Sequence, residues 1–227
     1  MDWQAFWDKK ALHEDPHVQV ARTKGGKQSD KQELAKIAAY IKEKLELSEE
    51  DTLLDLCCGN GMLSKELSPF VKELLGVDFS EPHIEIARQQ FIAPNVMFLR
   101  GNATKLALLT EKSFDKINLY FSFQYFDTYK MGELVVKEMA KCLKPGGKIL
   151  IGDVPDKERL AVFYPKPMDR FRYHLARIRG RDQMGKFWSE AEMQKIAAAS
   201  GLQIQKLKQP ADFLYQHYRS DYLLWKE

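Results

Sequence analysis

Between residues 52 and 154, five short apolar runs alternate with segments of helical period, and this alternation is the strongest constraint on what the chain can fold into. The runs are Thr52–Leu56 (TLLDL), Glu73–Asp78 (ELLGVD), Val96–Arg100 (VMFLR), a strand within 114–121, and 148–154 (KILIGDV). Near-continuous apolar runs suit strands covered on both faces, and strands separated by helices imply parallel βαβ units. The helical segments carry their own punctuation. One covers 62–68 and stops at Pro69. Ser80 is expected to cap the next, whose first turn holds Glu81 and Pro82, both favoured there. A third covers 129–143 and is closed by Lys144-Pro145-Gly146-Gly147. Ser189-Glu190-Ala191-Glu192 is a capping box, opening a helix that ends at Gly201. Two further strands, at about 202–208 and 215–225, have no helix between them and are expected to pair antiparallel.

The flanks are less regular. Residues 1–28 read as an irregular N-terminal extension, with Trp3, Phe6 and Trp7 at helical spacing and a Lys24-Gly25-Gly26-Lys27 stretch expected to be flexible. The aromatic cluster is either a cap over a ligand or a core anchor. Ser29 is placed to cap a helix carrying Leu34, Ile37, Ala38, Ile41 and Leu45, so that 29–227 forms one domain. Residues 155–187 interrupt it as a helical insertion. Between Lys166 and Lys186 there are seven basic and two acidic residues, so this stretch is more positive than the whole chain, whose net charge is +3. Phe171, Leu175 and Ile178 are expected to pack inward, with Arg170, His174, Arg177 and Arg181 on another face. That face is a solvated basic surface or a lid for an anionic or polar ligand.

Composition narrows the setting. The N-terminus lacks a cationic segment followed by an apolar run, and no apolar stretch reaches the roughly 18 residues that span a bilayer. No signal peptide and no membrane partner are therefore expected. The cysteines, Cys57, Cys58 and Cys142, form no disulfide framework and no metal-ligand spacing, which points to a reducing cytoplasm and no metal. Cys57 and Cys58 read as packed small residues rather than nucleophiles.

The chemistry is concentrated in Leu53-Leu54-Asp55-Leu56-Cys57-Cys58-Gly59-Asn60-Gly61, where the first strand meets its helix. A glycine turn there lets a ligand approach the backbone at a helix N-terminus. Asp55 in that turn region suits a positively charged ligand better than a phosphate. Asp78 ends the second strand, where a carboxylate can accept from both hydroxyls of a ribose.

Taken together these motifs resemble the class I, Rossmann-like S-adenosylmethionine-dependent methyltransferases. Asp55, Cys57, Gly59 and Gly61 match the family's D-x-G-x-G-x-G motif, Asp78 and Phe79 in GVDFS its ribose acid, Asn102 and Ala103 its adenine-side acid, and Pro145-Gly146-Gly147 its turn before the fifth strand. Cys57 stands for the first glycine and Asn102 for the usual aspartate. The resemblance covers about residues 30–155 clearly. It implies an α/β, doubly wound, mostly parallel seven-stranded sheet with helices on both faces and the last strand antiparallel. It also implies S-adenosylmethionine as cofactor, S-adenosylhomocysteine as product, and in-line methyl transfer to an oxygen or nitrogen of a small molecule. Tyr120 and Tyr125 follow the fourth strand, near the expected methyl position. His174, His217, Tyr125 and Asp153 are candidates for a general base, and each is more readily structural. Tyr125, Arg170, His174 and Arg177 are candidate acceptor contacts, and Arg22 a candidate for the cofactor carboxylate.

Three rivals share parts of this pattern. Gly59-Asn60-Gly61-Met62-Leu63-Ser64 loosely fits a dinucleotide fingerprint and would suit a nicotinamide dehydrogenase. The basic stretch would suit an RNA methyltransferase, although Asn118-Leu119-Tyr120-Phe121 lacks the prolines that hold a flipped base in many such enzymes. A non-catalytic cofactor-binding protein is the third.

Overall fold

The computed structural model describes residues 1–21, 23–24, 27–28 and 31–226, with the backbone alone at 23, 24, 27, 28 and 31. Arg22 and Ser29 lie outside the described residues, and with them the expected carboxylate contact and helix cap. The chain opens with α1 (Trp3–Ala11), α2 (Pro16–Gln19), a ribbon of β1 (Thr23–Lys24) with β2 (Lys27–Gln28), and α3 (Lys31–Leu45). The alternating part follows as β3 (Thr52–Leu56), α4 (Met62–Leu67), β4 (Glu73–Asp78), α5 (Glu81–Gln90), β5 (Val96–Arg100), β6 (Phe114–Tyr120), α6 (Tyr129–Lys141) and β7 (Leu143–Pro155). The chain then forms α7 (Leu160–Phe163), α8 (Pro167–Ile178), α9 (Glu190–Ala199), β8 (Gln203–Leu207) and β9 (Arg219–Trp225).

Strands β3 to β9 form one seven-stranded sheet in the order β5-β4-β3-β6-β7-β9-β8. The pairings from β5 through β7 are parallel, and β9 runs antiparallel to both β7 and β8. This is the expected sheet. Its two faces are read directly from the period of two along each strand. Leu54 and Leu56 point to a core shared with α6 and α9, while Leu53 points to the core under α3 and α4. Leu75 and Val77 of β4, and Ile149 and Ile151 of β7, repeat the first pattern, and Leu74 and Leu150 the second. Helix α5 closes the sheet edge with Ile84 and Ala87 against Phe98.

Several local expectations are corrected. Pro145-Gly146-Gly147 does not precede the fifth strand but lies inside the longer β7, beside an irregularity in its pairing with β6. Ser80 occupies the N-cap of α5 but makes no side-chain cap; its N–H instead donates to Asp78 Oδ1. The last strand starts at Arg219, because 210–218 is spent on turns that stack Tyr215 and Tyr218 under Arg219. The Ser189/Glu192 capping box forms as expected. Helix α8 is turned over: Tyr173 is its buried residue, while Phe171 and Ile178 are 62% and 84% exposed. The inward face is held by polar anchors, as Tyr173 Oη donates to Gly185 O and Arg177 pairs with Asp127. Hydrophobic spacing alone does not reveal that arrangement.

Trp188 is fully buried against α6, where it rests on Gly132: a Cβ at that position would lie 2.4 Å from Trp188 Cη2. Gly132→Val should therefore lower stability by about 1–3 kcal/mol or more through overpacking, measured as a shift of the urea midpoint at unchanged slope.

Candidate functional site

The strand order reverses between β3 and β6, and at such a switch point the carboxyl ends of neighbouring strands splay apart to leave a crevice. A cavity of about 320 Å3 occupies this place, within the range of small-molecule sites. Its floor is unusual in backbone terms. Cys57 after β3, Phe121 after β6 and Asp153 in β7 all have left-handed φ, at 62°, 71° and 58°, and Ala21 in the N-terminal segment has 54°. All four line the cavity. Such conformations cost on the order of 1–3 kcal/mol each in residues with a side chain, and they cluster where a structure is shaped around a ligand.

The first half of the site is built on β3 and β4. Asp78 is buried at the end of β4, and its two oxygens accept from backbone N–H groups, Oδ2 from Gly59 at 3.0 Å and Oδ1 from Ser80 at 2.9 Å. The carboxylate thus pins the glycine turn to the neighbouring strand. Burial pushes Asp78 above the ordinary carboxylate range, partly offset by these N–H groups and by His83. Asp55 is pushed up to about 6, again by burial, partly offset by its donors: Ser64 Oγ of α4 and, at 2.8 Å, Asn118 Nδ2 of β6. It braces the strand while still lining the cavity. Phe79 and Asn102 complete this wall. Asn102 Oδ1 accepts from both the N–H and the hydroxyl of Thr104, so its NH2 is the group left to meet a ligand.

The N-terminal segment folds over this turn. Asn60 Nδ2 donates to Pro16 O at 3.0 Å and to Gln19 Oε1 at 2.8 Å. A Cβ at Gly59 would meet Val20 Cγ1 at 3.0 Å, so glycine is needed for the close approach as well as for its φ of +55°. Trp3 and Trp7 line the cavity and pack on Tyr125, while Phe6 packs edge-on against both tryptophans. Trp3 Nε1 donates to Asp127 Oδ2 at 2.8 Å, and the other oxygen of Asp127 takes Arg177 Nη1 at 2.7 Å.

The second half is built where β7 bulges. Ile151 pairs with Tyr222 and Val154 with Ser220, so Gly152 and Asp153 together face the single residue Asp221. The bulge turns the Asp153 side chain, which sits with Arg219: Nη1 of Arg219 donates to Asp153 Oδ2 at 2.8 Å and to Asp153 O at 2.6 Å. Asp221 Oδ1 accepts from Asp153 N and Gln209 Nε2, and its Oδ2 from Tyr120 Oη. Asp153, Tyr120, Tyr125, Tyr215 and Arg219 all line the cavity. Arg219 Nε and Gln124 Oε1 are buried and have no hydrogen-bond partner among the described residues. Burial raises Tyr125, and it raises Tyr120 well above the ordinary phenol, so both keep their protons near neutral pH.

The cavity therefore gathers Asp55, Cys57, Gly59, Asp78, Phe79, Asn102, Tyr120, Tyr125 and Asp153 of the sequence candidates. Gly61 lies behind it, at the start of α4 and packed on Phe98, and Ala103 lies in the core. His174 and His217 lie outside it, His174 exposed on α8 and His217 against Tyr218. Arg170 and Arg177 also lie outside, turned to Tyr164 O and to Asp127. Arg219 and Tyr215 were not candidates. The sequence signal for Arg219 is slight: one arginine opening the last strand, RSDYLLW.

Residues 53–147 match the family model described as a methyltransferase domain. Over that stretch, which is less than half of its length, this chain is similar to methyltransferases. It is 38% identical over 106 residues to a demethylmenaquinone methyltransferase of Lactococcus lactis, an alignment covering 44% of this chain and 40% of that protein. The chain thus spans about two fifths of the length of such curated relatives. It is 29% identical over 162 residues to the uncharacterized methyltransferase YcgJ of Bacillus subtilis, covering 70% of this chain and 60% of YcgJ. Among solved structures, S-adenosylmethionine-bound CalS10, an amino pentose methyltransferase of Micromonospora echinaspora, superposes with a TM-score of 0.67 at 15% identity. That superposition covers 95% of this chain and 98% of CalS10 and shows the fold.

The raised Asp55 gives a test of the site's electrostatics. Its native carboxyl holds a proton to about pH 6, whereas in the unfolded chain it ionises near 4, so its contribution to stability is complete below about pH 4 and is lost as pH rises through 6. The stability difference between wild type and Asp55→Asn should shrink by roughly 1–3 kcal/mol in the variant's favour from pH 4 to pH 7, read by urea titration.

Proposed function

We propose that this chain transfers a methyl group from S-adenosylmethionine to an oxygen or nitrogen atom of a small molecule. The observation that carries the proposal is one cavity with two unlike halves. One is a glycine turn tied to Asp78, and the other a chamber with a buried Arg219 Nε that has no partner among the described residues. When bound, S-adenosylmethionine supplies a methyl group already activated by its sulfonium charge.

The residues present fit that cofactor. Asp78 retains lone pairs beside its two N–H donors and would accept from the ribose hydroxyls. Phe79 and the Asn102 amide would flank the adenine, and the Cys57–Gly59 backbone would receive the amino-acid tail. Among the described residues, the cavity wall sets Asp55, Asp78 and Asp153 against one guanidinium, that of Arg219. That balance favours a cationic ligand and disfavours the pyrophosphate of a nicotinamide dinucleotide.

On the acceptor side, Arg219 Nε would donate to a polar atom of the substrate, and Asp153 fixes the guanidinium that does so. An acceptor that must lose a proton meets the Asp153 carboxylate, whose Oδ1 accepts a long hydrogen bond from Gln209 at 3.4 Å. Positioning is then the main contribution of the chain, with Trp3 and Trp7 of the 1–28 cap excluding water. The names of the relatives support a small acceptor, since demethylmenaquinone and an amino pentose are both small molecules. The cations of the basic stretch line no part of the cavity, which weighs against RNA. Free Cys57, Cys58 and Cys142 fit a reducing, cytoplasmic setting.

Incubation with methyl-labelled S-adenosylmethionine and, separately, a filtered metabolite fraction, total RNA or total protein distinguishes these readings. Label should enter the metabolite fraction and be lost with Asp78→Ala. Label entering RNA or protein instead would overturn the acceptor class, and label entering none of the three would overturn the transfer reading.

A further inference from the structure

Helix α8 carries an apolar stripe on its outer side. Met168, Phe171, Leu175 and Ile178 are spaced by three, four and three residues and so share one face. Met168, Phe171 and Ile178 are 58%, 62% and 84% exposed, and Leu175 is half-buried. The helix is not free to roll this stripe inward. Its other face is bolted to the body by three polar anchors: Arg170 Nη1 on Tyr164 O at 2.7 Å, Tyr173 Oη on Gly185 O at 3.0 Å, and Arg177 on Asp127 at 2.7 Å. A clustered apolar surface of this kind on a single helix marks a contact with something outside the chain.

The charges around the stripe say what that contact is. Lys166 and Arg172 near the start of the helix, and Arg179 and Arg181 just beyond its end, are all exposed. The one acid of the helix, Asp169, faces Arg172 at 3.5 Å. A second copy docking face to face would bring these cations against their own kind. An RNA phosphate backbone would satisfy the cations and leave Phe171 and Ile178 in water. An anionic lipid surface takes both: the apolar stripe enters the headgroup boundary, and the flanking cations remain level with the phosphates.

We propose that α8 is an interfacial helix that docks this protein peripherally on anionic membranes. The docking is distinct from a membrane span, for which no helix among the described residues is long and apolar enough. It stands on α8 alone and does not depend on the methyl-transfer reading.

The test is co-sedimentation of the full chain with sucrose-loaded vesicles of phosphatidylcholine, with and without phosphatidylglycerol. Wild type should sediment with the phosphatidylglycerol vesicles and be released by salt. Phe171→Ser/Ile178→Ser, at unchanged circular dichroism, should lower the partition coefficient about tenfold or more. Arg179→Glu/Arg181→Glu should remove the salt-sensitive part. Phe171→Trp should show blue-shifted emission on adding the anionic vesicles. Wild type left in the supernatant overturns the proposal. So does equal sedimentation of the serine variant, or absence of an emission shift. Salt-sensitive binding to total RNA without vesicle binding, or a dimer that the serine substitutions dissociate, assigns the face to the occupants argued against here.

Discussion

The carboxylate of Asp78 accepts from Gly59 N–H across the gap between two parallel strands, and the shape of the whole site follows from that contact. It draws the turn after β3 toward the end of β4, fixes the left-handed backbone of Cys57 and Gly59, and receives the first N–H of the α5 entry through Ser80. Three devices converge on one acid: a turn, a strand end and a helix start. Removing it would leave buried N–H groups without an acceptor and release the turn on which the N-terminal cap is seated through Asn60.

The sheet was legible because the inner parallel strands are buried on both faces and so must be written as continuous apolar runs. Leu53 and Leu54 belong to opposite cores and are both fully buried, which is the pattern TLLDL announces. The wall built on β3 and β4 was legible for a related reason, since a ligand that touches backbone requires small residues at fixed places, and Gly59 cannot be replaced without meeting Val20. The half around Asp153 and Arg219 was not. Asp153 is aimed by a bulge that pairs two residues of β7 with one of β9, and Arg219 is brought to it from 66 residues away. Neither event leaves a local signature. The inversion of α8 is a similar case. Its apolar spacing was visible, but which face turns inward is decided by Gly185 O and Asp127, both outside the helix.

The two halves of the cavity also differ in how they hold charge. Beside the glycine turn, the buried carboxyls of Asp55 and Asp78 sit above their ordinary range and would ionise more readily beside an arriving cation. In the other half, Arg219 and Asp153 already neutralise each other, so what is offered to a ligand is a directed N–H rather than net charge. A methyl donor that is itself cationic and an acceptor that needs orientation more than activation suit this division.

Calorimetric titration of the full chain with S-adenosylhomocysteine tests the central contact most directly. One-to-one binding in the micromolar range is expected for wild type. In Asp78→Ala the affinity should fall by about 100-fold or more, because two hydroxyl contacts to a charged acceptor contribute roughly 3–6 kcal/mol. Absence of heat at millimolar nucleoside, or equal affinity in the variant, would contradict the account.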